Sequence, residues 1–165
     1  GSAIYTGKTS SGNSLYSGDL STIADSDYAI TLGCAVSSDN PMVRFALAQA
    51  VNNNRAWVAV VHPIEDYSIQ NVITQYLKHE VGSEEAILSL LCEYFVNEDG
   101  KAKHKEFFNS IDSGYICGES SVGEEEFDLL VERKERKNNP VLVLGADLYN
   151  HPQAKNIAKM AGLLE

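Results

Sequence analysis

Apolar, β-prone residues run without alternation through Tyr28, Ala29, Ile30, Thr31 and Leu32, and again from Ala56 to Val61. Such runs predict strands covered on both faces, as in a parallel sheet, because a strand with one wet side would alternate. Gly33 stops the first run, and from Pro41 the apolar residues Val43, Leu47, Ala50 and Val51 return at helical spacing. Asp39 or Asn40 is placed to cap that helix and Pro41 to sit in its first turn, which predicts about three turns. Asn52, Asn53 and Asn54 read as its polar exit. The unit is strand, helix, strand, with a right-handed crossover expected.

The remaining elements follow from the same patterns. Leu20, Ile23 and Ala24 predict a short helical turn before the first strand, and Val72 to Leu77 a third strand. Between Pro63 and that strand, Ile64 to Asn71 reads as a loop or a single helical turn. Ser83, followed by Glu84 and Glu85, predicts a helix start, with the glutamates facing the positive end of the dipole and Ala86, Ile87, Leu90, Leu91, Tyr94 and Phe95 forming the apolar face. A further helix is expected over 124–137, opening on three glutamates and closing on Arg133, Lys134, Arg136 and Lys137. Pro140 opens a fourth apolar run, Val141 to Leu144, read as buried, and Pro152 precedes a helix bearing Ala154, Ile157, Ala158 and Ala161. The order strand, Gly33, seven-residue loop, Pro41 is echoed by strand, Gly145, six-residue loop, Pro152, which suggests two strands presenting equivalent loops on one sheet edge. The expected fold is α/β, a Rossmann-like parallel sheet of about four to five strands with helices on both faces.

Two stretches carry no such pattern. Residues 1–18 are rich in Gly, Ser and Thr and open on Gly1-Ser2, which reads as an expression scar, so a loose N-terminal segment is expected. Residues 97–123, charged and glycine-interrupted, read as an irregular connection inside a single domain spanning 19–165, with Phe107, Phe108 and Ile111 as anchors. The C-terminal Leu163-Leu164-Glu165 has no stop signal, and the chain is expected to be a piece of something longer.

Charge narrows the partners. Twenty-three acidic against thirteen basic residues give a formal charge of −10, which repels phosphate backbones and anionic headgroups, so no nucleic acid and no direct membrane contact are expected. The basic end of the 124–137 segment reads as a solvated helix terminus. Cys34, Cys92 and Cys117 are odd in number and lack metal-binding spacing, which fits a reducing, cytoplasmic setting.

Ligands of parallel α/β sheets bind beyond the carboxyl ends of the strands, which places the crevice at 33–40 and 62–66. The first loop lacks G-x-G-x-x-G, so the dinucleotide fingerprint is missing. Gly7-Lys8-Thr9 imitates the end of a phosphate loop, but no strand precedes it and Ser-Ser-Gly follows where a helix is needed. Cys34 lies in the crevice loop, where a reactive thiolate is conceivable, although free cysteines mostly behave as buried hydrophobes. His62 and His151 fall at equivalent strand ends and are the only histidines placed to meet. No residue is assigned a catalytic or metal-binding role.

Several motifs in order carry a likeness: Asp25-x-Asp27-Tyr-Ala-Ile-Thr-Leu-Gly33, Pro41-Met-Val-Arg44, Ala56 to Pro63, Val81-Gly-Ser-Glu-Glu-Ala86, and Leu144-Gly-Ala-Asp-Leu-Tyr-Asn-His-Pro152. The sequence resembles the molybdopterin oxidoreductase family, in the form carried by the G subunits of bacterial NADH-quinone oxidoreductases, respiratory complex I. The likeness runs from about Leu20 to Leu91 and again from Pro140.

The resemblance implies part of a peripheral arm on the cytoplasmic side of the inner membrane, with other parts of the same subunit and neighbouring peripheral-arm subunits as partners. It also implies iron–sulfur clusters elsewhere in the full subunit. Cofactor-loaded members hold half of a molybdopterin guanine dinucleotide with Gly-x-Asn-Pro in the first loop and Asp-Pro-Arg after the second strand. Here those positions read Gly33-Cys-Ala-Val36 and His62-Pro-Ile64. The arginine fork is gone, and Asp39, Glu65 and Asp66 add negative charge. Two unit charges about 5 Å apart repel by roughly 3 kcal/mol at an effective dielectric of 20. The implied role is a non-catalytic scaffold without cofactor, with a vestigial crevice at Gly33, Cys34, Val36, Asp39, His62, Glu65, Gly145 and Asp147. The alternative is a genuine molybdopterin- or nucleotide-binding domain, and a free-standing regulatory nucleotide binder is a weaker third reading.

Overall fold

The computed structural model describes residues 2–16 and 18–164. Gly1, expected to belong to an expression scar, lies outside them, as do Ser17 and Glu165. Four parallel strands form one sheet in the order β3-β2-β1-β4. They are β1 (Tyr28–Leu32), β2 (Trp57–Val61), β3 (Gln75–Leu77) and β4 (Pro140–Leu144). The lack of alternation in β1 and β2 has the cause expected of it: odd and even positions enter different cores. Tyr28, Ile30, Leu32, Ala59 and Val61 join one, and Ala29, Val58 and Val60 the other. This is a Rossmann-like α/β sheet covered on both faces.

One face is covered by α2 (Leu20–Ala24) and α4 (Pro41–Asn54), through Ile23, Val43, Ala46, Leu47 and Ala50. Asn40 caps α4, its side-chain oxygen accepting from the Val43 N–H at 3.4 Å. The helix runs one turn further than expected and takes in Asn52, Asn53 and Asn54, ending only where Arg55 turns left-handed at φ 52°. The asparagines are tolerated because they face outward, and Asn54 donates to the carbonyls of Ala24 and Ser26. Before α4 the chain makes one turn, α3 (Val36–Asp39), where a plain loop was expected.

The other face carries α5 (Glu84–Phe95), α9 (Glu124–Glu135) and α10 (Ala154–Ala161), through Ile87, Leu88, Leu91, Phe127, Leu130, Ile157 and Ala158. Ser83 precedes α5 as expected but makes no side-chain cap, because its hydroxyl donates to the Glu80 carbonyl at 2.7 Å. The third strand is shorter than predicted, since Val72 and Ile73 belong to the turn that leads into it.

Three expectations are corrected. Residues 97–123 are not irregular: they form α6 (Glu98–Lys103), α7 (Lys105–Asn109) and α8 (Ser113–Ser120). Caps rather than apolar stripes start two of these helices, Asn97 accepting from the Gly100 N–H and Asp112 from the Tyr115 N–H. The N-terminal segment is not loose. It opens on α1 (Ser2–Tyr5), and Ile4 is fully buried against the α10 side of the sheet. The fourth strand is only half-buried, because it is the edge of the sheet. Among the described residues no helix is long and apolar enough to cross a membrane.

Candidate functional site

The carboxyl ends of β1 and β2 open into a cavity of about 290 Å³. Cys34, Val36, Ser37, His62, Glu65 and Asp66 are among its lining residues. Gly33 starts the first wall at φ 63°, a left-handed conformation that favours glycine, and a Cβ there would come within 2.9 Å of the Leu148 side chain. The chain then folds back on itself, so that the Ala35 N–H donates to an Asp39 carboxylate oxygen at 3.0 Å. On the second wall Asp66 accepts from the Ser68 N–H at 2.9 Å and the Ser68 hydroxyl at 2.6 Å. Its other oxygen accepts from the hydroxyl of Ser37, tying the two walls together. These hydroxyls hold the Asp66 carboxyl below its usual range, Ser37 contributing most.

The loop after β4 closes the third side. Gly145 lies against β1, its N–H donating to the Leu32 carbonyl at 2.8 Å, and the Asp147 N–H donates to the Gly33 carbonyl at 3.2 Å. The Asp147 carboxylate is 3.2 Å from Nε2 of His62. With Nε2–H donating to Asp147, Nδ1 is free to accept from the Ile64 N–H at 3.1 Å. His62 and His151, although both fall at strand ends, do not meet. His151 turns to the start of α5, where its Nε2 lies 3.4 Å from the Gly82 carbonyl and 3.4 Å from the buried carboxylate of Glu84. Sequence spacing gave no sign of this, because Glu84 reads as one of two first-turn glutamates set against the helix dipole. Among the described residues no group of three or more His, Cys, Asp and Glu is arranged to hold a metal ion.

Of the residues read as crevice, Cys34, Val36, His62 and Glu65 line the cavity, while Asp39 sits behind the loop and Gly145 and Asp147 buttress it. Ser37 and Ser38 fall within the 33–40 stretch read as crevice, whereas Val60, Tyr67 and Ile69 lie outside the stretches read and were missed. An Asp66-x-Ser68 turn was legible as a local motif, but the Ser37 partner lies 29 positions away.

Cys34 is almost fully buried. Burial, and after it the carboxylates of Asp39 and Asp147, push its thiol pKa up to about 11. At pH 7 roughly one thiol in ten thousand is then ionised. Alkylation by iodoacetamide should accordingly be slow in the native protein at pH 8 and fast after unfolding in urea, as read by mass spectrometry of the Cys34 peptide. Native labelling as fast as that of the unfolded chain would show a thiol that is neither buried nor raised.

This donor set does not fit a phosphorylated pterin. A dianionic group held here would need N–H groups or cations, whereas Ala35 N–H and the Ser37 hydroxyl are already spent on Asp39 and Asp66. No lysine or arginine lines the cavity. Arg44 does reach the second loop, but its guanidinium donates to the Ser68 carbonyl at 3.2 Å, outside the cavity lining.

No family model matches the chain, and no curated protein sequence matches it. A solved structure does: acetylene hydratase from Pelobacter acetylenicus, a molybdopterin-type enzyme, superposes with a TM-score of 0.64 at 9% identity. The match covers 98% of this chain and 24% of that one. The backbone fold is like that of a part of this enzyme. At that identity the likeness concerns the backbone, and the chain spans about a quarter of the length of the enzyme it matches.

Proposed function

We propose that this domain is a scaffold without cofactor or catalytic residues of its own, built on the molybdopterin-oxidoreductase fold and belonging to the G subunit of a respiratory NADH-quinone oxidoreductase. One observation carries the loss of cofactor: the donors at the strand tips are consumed by the protein's own carboxylates. A crevice kept for a phosphorylated ligand would leave those donors free and would set cations beside them. Here Asp66 and Asp147 instead tie the three loops to one another around it, and Asp39 folds the first loop on itself. Such a junction stabilises the sheet edge and needs no ligand to order it. The assignment to a respiratory complex rests on the sequence motifs from Leu20 to Leu91 and from Pro140 onward, and its partners are the neighbouring peripheral-arm subunits.

The test uses the full-length natural chain, tagged in its own host and isolated under mild detergent. The isolated particle should oxidise NADH with a quinone acceptor and contain iron and acid-labile sulfide, and it should yield molybdenum and pterin well below one per chain. A particle without NADH oxidation would remove the respiratory assignment. Molybdenum and pterin at one per chain would instead restore a working cofactor site.

A further inference from the structure

A second cavity, remote in its chemistry from the first, involves the Gly7-Lys8-Thr9 triplet that fails as a phosphate loop. The structure gives its lysine another setting. The Ser10 N–H donates to the Gly162 carbonyl at 2.8 Å, and Gly162 lies so close beneath the loop that a Cβ on it would come within 2.3 Å of the Lys8 carbonyl oxygen. On the other side a Cβ on Gly7 would come within 2.3 Å of Leu15 and 3.3 Å of Ala158. Two glycines therefore pin this loop onto α10. The antiparallel bridge between Lys8 and Ser14, with the Thr9 N–H donating to the Asn13 carbonyl at 2.9 Å, fixes the loop's own shape.

The consequence is a meeting of cations. Lys8 from the loop and Lys155 and Lys159 from α10, one helical turn apart, line an open cavity of about 350 Å³ together with Ala3, Thr6 and Ala158. Among the described residues no acidic side chain lines it. Among the described residues none of the three lysines forms an ion pair, whereas Lys101 pairs with Glu98 and Arg136 with Glu132. In a chain of 23 acidic and 13 basic residues, three unpaired cations around one cavity run against the overall balance.

We infer that this cavity binds a small phosphate- or pyrophosphate-bearing molecule. The volume lies at the small end of ligand pockets, which start at about 300 Å³. Three lysines lining one space bring like charges near one another, and an oxyanion between them replaces that repulsion with attraction. The remote negative charge of the chain opposes such a ligand only weakly, because at physiological ionic strength the Debye length is about 8 Å while contacts within the cavity are shorter. The inference is independent of the scaffold reading, which concerns the loops after β1 and β2 and their carboxylates, and the two cavities share no lining residue.

The probe is inorganic pyrophosphate, titrated into the protein at physiological ionic strength and followed by amide ¹H–¹⁵N shifts. Saturable shifts are expected around residues 6–8 and 155–159. Lys8→Gln, Lys155→Gln and Lys159→Gln should each weaken binding up to roughly fivefold, the effect of an exposed charge contact worth about 1 kcal/mol. A control variant carrying Lys101→Gln, Lys103→Gln and Lys105→Gln changes the net charge by the same three units elsewhere, and it should bind as the wild type does. Shifts that never saturate overturn the inference, as does a control that weakens binding as much as the three cavity substitutions together.

Discussion

Substituting Gly145→Ala is expected to cost about 3 kcal/mol of stability, at the upper end of what overpacking does. The reason is what the added methyl would meet. A Cβ at Gly145 lies 1.9 Å from the Gly33 carbonyl oxygen, 2.3 Å from its carbon and 2.4 Å from Cα of Cys34. All three are backbone atoms, so no rotamer change relieves the clash. Gly145 itself has φ −87° and ψ 176°, which alanine adopts freely, so the cost is steric and owes nothing to strain in its own backbone. To make room, β4 must slide from β1, which breaks the Gly145 N–H to Leu32 carbonyl bond and the Asp147 N–H to Gly33 carbonyl bond. Urea denaturation gives the number. Gly118→Ala in α8, where an added Cβ meets nothing within 4 Å, should be stabilising by up to about 1 kcal/mol and serves as the comparison. A Gly145→Ala loss below about 1 kcal/mol would mean that the two loops are not in contact.

The same glycine shows what the sequence could and could not tell. The echo of strand, glycine, loop and proline placed Gly33 and Gly145 on one edge of one sheet, and there they are, on neighbouring strands. Their reason for being glycine was not legible, because it is each other's backbone and the Leu148 side chain rather than a ligand. Strands β1 and β2 were readable because burial on both faces leaves an unalternating run, a signal carried by every residue of the strand. The helices over 97–123 were not, because α6 and α7 bury no residue fully and so show no apolar stripe. Only Asn97 and Asp112, each capping the N–H three positions on, marked their starts. In the site, local pieces such as Asp66 with Ser68 could be read, whereas Ser37 with Asp66 and His62 with Asp147 join loops 29 and 85 positions apart. Such pairs are set by strand order, which periodicity does not specify.

Phe127→Ala should cost more than any other single truncation in α9, about 4 kcal/mol, because a buried aromatic removed from a packed core leaves a cavity that neighbours refill only in part. Phe127 is 1% exposed and lies beside Tyr94, with ring centroids 6.2 Å apart. In sequence its basic end reads as a solvated helix terminus, yet three contacts tie the helix to the amino ends of the strands. The Tyr28 hydroxyl donates to the Leu130 carbonyl at 2.8 Å, and the Gln75 amide donates to the Glu126 carbonyl at 2.8 Å. The Arg133 guanidinium lies 4.7 Å above the Trp57 ring, and Leu130, three positions after Phe127, is fully buried. Phe127→Leu keeps most of the volume and should cost about 1.5 kcal/mol. Gly145 and Phe127 act at opposite ends of the same sheet with no shared partner, so Phe127→Leu and Gly145→Ala combined should lose the sum of their separate losses to within about 0.5 kcal/mol. A larger departure in urea denaturation would mean that the strand tips and α9 are coupled through β1, and that the loop junction feels the packing at the far end of the sheet.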